Sequence, residues 1–208
     1  MTNHHAALLL SLVAVACAGG RVVPDRPARP DASAREFTAN VRVTRPDATY
    51  EEKLYVGNGG TRSESASSGE EVVVLHHFDR KTTLFLVTSQ QAALQMPELD
   101  PEAPRPDDYR AATDGRPCNA AHSTCERVGE AQVGPFQTVE WRVEEGTGAA
   151  RLSRRIWVDQ ATRVKVKTVT TGAKTETTEF LDLQMGHQPD GLFAVPDGYL
   201  MMLATKAP

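Results

Sequence analysis

The sequence predicts an all-β fold, an antiparallel meander with only minor short helices. Three observations predict it. Short segments between Phe37 and Met185 alternate apolar and polar residues with the two-residue period of half-buried strands. Turn signals separate them: Gly57-Asn-Gly-Gly60, Asp79-Arg-Lys81, Gly134-Pro135, Gly146, Gly148, Asp159-Gln160 and Gly172. No covering amphipathic helices stand out between them. A barrel, a half-barrel and a sandwich all fit this pattern.

Phe37 to Thr44 alternates cleanly and is the first strand. Thr49 to Val56 follows, with Tyr50, Leu54 and Val56 on one face. Thr61 to Ala66 is a more polar strand. Glu71 to Phe78 and Thr82 to Val87 flank Asp79-Arg-Lys81 as a hairpin. The pattern then breaks. Pro97 to Pro117 is rich in proline and acids, and reads as a long loop with room for one helical turn. Strands resume as Val128–Val133, Phe136–Glu144, Arg151–Asp159, Arg163–Thr171 and Glu176–Met185.

One face of these strands is apolar: Val41 and Val43; Leu84 and Leu86; Val139, Trp141 and Val143; Leu152, Ile156 and Val158; Leu181, Leu183 and Met185. Glu140, Arg142, Glu144, Lys165 and Lys167 mark a wet opposite face. The apolar face needs a cover or a ligand. The shortage of covering helices points to a cavity.

The chain begins with an apolar run, Ala6 to Ala16, that is too short to span a bilayer, for which about 20 residues are needed. It fits the apolar region of a signal peptide over residues 1–16, ending in small residues before Cys17. This pattern resembles a bacterial lipobox, which makes Cys17 the first mature residue and the carrier of lipid such as palmitate. Ala14 stands where leucine is usual, and the residues before the run have no lysine or arginine. An ordinary secretory signal is the rival reading. Residues 17–35 are rich in proline, arginine and aspartate and read as a tether. Residues 36–208 form a single domain.

There are three cysteines. With Cys17 lipidated, Cys118 and Cys125 remain as a pair bracketing a short polar loop. A disulfide there suits an oxidising compartment. A metal site using Cys118, Cys125 and His122 is the alternative, and it lacks a fourth ligand. We expect no metal and no cofactor. The net charge of −4 is spread without a basic stripe, which argues against nucleic-acid binding.

No nucleophile elbow, zinc-protease helix, phosphate loop or dinucleotide fingerprint is present. The expectation is a protein that is not an enzyme, with no catalytic residues. His76 and His77 are adjacent in a strand and point to opposite faces. His187 reads as solvated. Arg62 and Glu64 read as a surface ion pair. Trp141 and Trp157 fit either core or cavity, and Phe193 and Pro196 fit a turn that packs the last strand.

Several motifs in order carry a family likeness. They are Leu54-Tyr-Val-Gly57 with Thr61-Arg62, the cysteine pair, Gly134-Pro-Phe-Gln-Thr-Val-Glu-Trp141, Ile156-Trp-Val-Asp159, Leu181-Asp-Leu-Gln-Met-Gly186 and Leu192-Phe-Ala-Val-Pro-Asp-Gly-Tyr199. With these the chain resembles the LolA/LolB-like superfamily of bacterial envelope lipoproteins, especially its outer-membrane lipoprotein-sorting members, over residues 36–205. The resemblance implies a curved antiparallel sheet forming an unclosed half-barrel with a hydrophobic concavity.

On that basis the expected cavity lining is Val41, Val43, Leu54, Leu84, Leu86, Val139, Trp141, Val143, Ile156 and Leu183. The expected function is binding of an acyl chain or other lipophile in the envelope, in lipoprotein or lipid trafficking. The chain would be lipid-anchored, facing the periplasm, with the outer membrane favoured by Ala18 after the cysteine. The alternative is a non-enzymatic sensor or protein-interaction module on the same fold, with an envelope protein as partner.

Overall fold

A computed structural model describes residues 35–67, 69–96, 103–118, 123–146, 152–172 and 175–204. Cys17, the leader and the tether up to residue 34 lie outside the described residues, as does His122.

The first six strands are β1 (Phe37–Thr44), β2 (Thr49–Val56), β3 (Gly60–Ser67), β4 (Glu70–His77), β5 (Thr82–Val87) and β6 (Ala92–Gln95). The second group is β7 (Ser123–Val133), β8 (Phe136–Glu145), β9 (Leu152–Asp159), β10 (Lys165–Thr171) and β11 (Glu176–Phe180). Two short strands close the chain, β12 (Gln184–Met185) and β13 (Leu200–Leu203). All join one sheet in the order β13-β6-β5-β4-β3-β2-β1-β11-β10-β9-β8-β7, with β12 pairing β1. The path has two free ends, so the sheet is an unclosed half-barrel. Every pairing is antiparallel except β13 on β6, which is parallel.

Local chemistry sets the hairpins. β7 and β8 are joined by Gly134-Pro135 alone. Gly134 takes φ +52°, the left-handed first position that such a two-residue turn requires. The described part of the long loop contains a 3₁₀ turn, Pro106–Tyr109.

The structure refines several strand expectations. Glu176 to Met185 is interrupted after Phe180. The interruption lets Asp182 accept from the backbone N–H and the side-chain amide of Asn40, at 2.8 and 2.7 Å. Arg163 precedes β10 in a left-handed turn, φ 63°, rather than opening the strand. β7 begins five residues before Val128. β6 and β13 are strands that sequence pattern did not announce.

Register divides the apolar residues between two faces. Phe37, Ala39, Val41 and Val43 share a face with Val56, Leu54, Glu52 and Tyr50 of β2. Following the pairs outward, that face continues through Ser63 and Ser65, then Val74 and Val72, then Phe85 and Val87, then Leu94 and Ala92. We call this the inner face. Val73, Leu75, Leu84, Leu86 and Ala93 lie on the outer face and form their own buried cluster. The continuous apolar run of β4, Val72 to Leu75, is what allows both faces to be apolar at this end.

Candidate functional site

Each half of the sheet is covered on a different side. Over the β1 and β7–β11 half, the inner face is filled. Phe37, Ala39, Val41, Val43, Leu54, Val56, Val164, Val166 and Phe180 form one cluster, and Val143, Ile156 and Val158 another. Its cover is the irregular segment from Ala103 to Cys118. Tyr109 stacks edge-on against Phe37 at 5.9 Å and lies 6.5 Å from Phe180. Ala111 N–H donates to the Arg163 carbonyl at 2.9 Å. The Cys118–Cys125 disulfide ties the end of this segment to β7, and both cysteines pack on the second cluster with Ala111 and Trp141. The bonded pair replaces the metal alternative for these cysteines.

Burial perturbs the ionisable groups near this cover. It pushes the Tyr109 phenol well above its ordinary value and the Glu52 carboxyl upward. It pulls the Lys165 amine down.

The cover of the other half lies on the outer face. The segment from Gly186 to Tyr199 crosses β3 to β6, where Val195 and Tyr199 pack on the cluster of Leu75, Leu84 and Leu86. Polar bonds fix it. Glu36 is buried, 8% exposed. Its Oε2 accepts from His187 Nδ1 at 2.8 Å and from the Gln188 N–H at 2.6 Å, while Asn58 donates to Oε1. His77 Nε2 donates to the Phe193 carbonyl at 2.6 Å, and Arg62 to the Leu192 carbonyl at 3.0 Å. The Phe193 ring sits over Gly57, where an added Cβ would lie 2.7 Å from it. Glu36, Asn58, His77, His187, Gln188 and Phe193 border a cavity of about 310 Å³ that also touches Asp79, Arg80 and Asp190.

His187 is solvent-exposed, as expected, and its Nδ1 is also held by Glu36. Arg62 and Glu64 pair at 2.7 Å while mostly buried. His76 and His77 face opposite sides, His76 with Thr83 Oγ1 at 3.1 Å. Trp141 is half-buried on the inner face, opposite Ile156. Trp157 is buried on the outer face, with Arg155 and Lys167 over its ring at 5.0 and 5.7 Å. Among the described residues no cluster of histidine, cysteine, aspartate and glutamate has metal-holding geometry.

The ten residues expected to line one concavity are distributed by this arrangement. Val41, Val43 and Leu54 belong to the first inner cluster, with Leu183 against it. Val143 and Ile156 belong to the second, with Trp141 against it, and Val139 is half-buried nearby on β8. Leu84 and Leu86 are on the outer face, under Val195 and Tyr199. The alternation in Thr82–Val87 turns Phe85 and Val87 inward instead.

What remains on the inner face is an apolar band at the β13 end of the sheet. Val72 and Val74 continue into Val87 and Phe85, then Ala92 and Leu94, then Leu200 and Met202. Val72, Val74, Phe85, Val87 and Leu94 are half-buried, and Ala92 is buried. Leu200 and Met202 are 66% and 42% exposed. Adjacent strands lie about 4.8 Å apart, so the band runs roughly 14 Å across four strands. Sequence reading missed it because its faces were assigned from Leu84 and Leu86. The β-branched run of Val72 to Val74 was the available signal.

The sequence matches no protein-family model and no curated protein sequence. Solved structures are similar in fold. An uncharacterized conserved protein from Thermus thermophilus superposes with a TM-score of 0.55 at 12% identity, over 83% of this chain and 93% of that one. MucB superposes with a TM-score of 0.51 at 16% identity, over 76% of this chain and 57% of MucB. The complex of Pseudomonas aeruginosa MucA and MucB gives 0.48 at 19% identity, over 78% of this chain and 58% of that chain. This chain thus spans under two thirds of MucB's length. The unclosed all-β sheet is a LolA/MucB-like fold.

Proposed function

We propose that this chain is a non-enzymatic envelope lipoprotein, anchored by lipid on Cys17, whose inner apolar band binds an acyl chain or similar lipophile. One observation carries the reading: eight apolar side chains from β4, β5, β6 and β13 form a continuous surface on the inner face, mostly half-buried on β4 to β6 and exposed at Leu200 and Met202 on the sheet edge. Contiguous exposed apolar surface of this kind marks a place where something apolar is received. Each methylene withdrawn from water contributes about 0.8 kcal/mol. An alkyl chain of about eight to ten carbons along the band would therefore gain roughly 6–8 kcal/mol before the cost of ordering it. The fold likeness and the apolar run before Cys17 support placement in the envelope.

Two measurements test this. Lipids extracted from the purified protein are identified by mass spectrometry, and binding of a dansyl-labelled undecanoic acid is titrated by fluorescence. A bound lipophile is expected, with affinity for the probe at least tenfold weaker in Val74→Asp and in Leu94→Asp. Absence of both lipid and probe binding would overturn the lipophile reading. Cys17→Ser is expected to abolish palmitate labelling and release the protein from membranes. Membrane association that survives this change would overturn the anchor alone.

A further inference from the structure

The two free ends of the sheet differ in kind. At one end is β7. It carries Glu126, Arg127 and Glu130, paired as Arg142–Glu126 and Arg127–Glu130 at 3.0 Å each. Its register with β8 slips between Arg127 and Gly129. Charges and bulges are devices that keep a free edge from pairing.

The opposite end, β13, has neither. Its four residues, Leu200, Met201, Met202 and Leu203, are all large and apolar and are 66, 48, 42 and 75% exposed. Their pairing with β6 is regular over the whole strand. Leu200 N–H donates to the Gln91 carbonyl at 2.7 Å, and Ala204 N–H to the Gln95 carbonyl at 2.9 Å. Alternate residues of a parallel ladder bond to the same neighbour. The N–H and C=O groups of Met201 and Leu203 therefore point away from β6, and among the described residues no strand pairs on that side.

We propose that the β13 edge docks an extended, uncharged, apolar segment of a partner protein, which joins the sheet as a further strand. The backbone pattern requires an extended polypeptide, and the flanking side chains select apolar residues. Size selects between partners. A four-residue strand is roughly 13 Å long. A standard protein interface buries about 800 Å² on each side, more than this edge offers, so a short segment fits it and a lasting dimer of two copies does not. Leu200 and Met202 also belong to the inner band, but the outward backbone groups do not, so this inference stands apart from the lipophile reading.

The test is fluorescence anisotropy of a labelled, end-capped heptapeptide of alternating leucine and threonine, titrated with the full chain. The control peptide is N-methylated at alternate residues along one edge. Binding of the unmodified peptide is expected, at least tenfold weaker after N-methylation. Met201→Pro removes an outward N–H while leaving the donors to β6, and is expected to weaken binding at least tenfold with unchanged thermal unfolding. Leu203→Lys is expected to weaken binding similarly, whereas Val74→Asp retains it. No binding by the native chain, equal binding of the N-methylated peptide, or undiminished binding by a folded Met201→Pro would overturn the proposal. So would a concentration-dependent dimer in sedimentation that Leu203→Lys abolishes, since the occupant would then be a second copy.

Discussion

Glu36 Oε2 accepts the Nδ1–H of His187 at 2.8 Å, joining the start of β1 to the segment that leads to β13 across 151 residues of sequence. The same carboxylate takes the Gln188 N–H and the Asn58 amide. Glu36→Ala leaves those donors without their acceptor. The expected cost is about 2–3 kcal/mol of stability, read from urea denaturation. Glu36→Gln keeps the shape and an acceptor oxygen and should cost about half as much. Equal losses in the two variants would show that shape, rather than hydrogen bonding, is what Glu36 supplies.

Phe193 depends on two glycines beneath it. A Cβ on Gly57 would come within 2.7 Å of its ring, and one on Gly60 within 2.5 Å of the His76 carbonyl. Gly57→Ala is expected to displace the ring at a cost of about 1–2 kcal/mol. Gly60→Ala should cost more, because backbone yields less readily than a side chain. Thermal unfolding of both variants measures the order, and a Gly60→Ala protein as stable as the native chain would contradict it.

The Cys118–Cys125 bond holds the inner cover to β7. Its loss in the double serine variant is expected to cost about 2–3 kcal/mol in the chain-entropy model. Trp141 packs on the same cluster as both cysteines, so its emission should shift to longer wavelength as the cover loosens. Unchanged emission with lowered stability would locate the effect in the unfolded chain alone.

Two half-buried ionisable groups set a pH dependence. Burial raises the Glu52 carboxyl above its ordinary value, so the folded chain holds that proton more tightly. Stability is therefore lost as pH rises from about 4.3 through the raised value. Burial lowers the Lys165 amine, and here stability is lost as pH falls from about 10.4 through the lowered value. Glu52→Gln and Lys165→Met should each raise stability at neutral pH. Each should also flatten its own side of the profile. Urea midpoints from about pH 4 to about pH 10 check both slopes.

The long alternating strands were legible because one buried face forces a period of two on the sequence. Phe37 to Thr44 and Phe136 to Glu145 show this. β6 and β13 were not legible, for a physical reason. Four residues are too few to show a period, and Ala92-Ala93 and Leu200 to Leu203 do not alternate. β6 is held between its hairpin partner β5 and β13, and β13 is a strand through its pairing with β6 across more than 100 residues. Leu84 and Leu86 were assigned to the wrong side because β4 and β5 are apolar on both faces, so hydrophobicity alone does not choose between them. The Glu36–His187 bond joins two ordinary polar residues, and only the sheet brings them together. The disulfide, by contrast, needed only short spacing and an even count.

β1 pairs with β2 on one side and with β11 on the other. The sheet is thus two local meanders, β1 to β6 and β7 to β11, sewn together along the β1–β11 seam, with β13 added on β6 by a second long-range pairing. Hairpins within each meander form by contacts close in sequence, in microseconds. The β1–β11 seam closes a loop of more than 130 residues, a large topological cost of folding. On a chain emerging in sequence order, β1 waits for its second neighbour until nearly all the rest has appeared. During that wait the row of Phe37, Val41 and Val43 lacks its Phe180 partner, which makes this seam the place where a holding chaperone would be most needed.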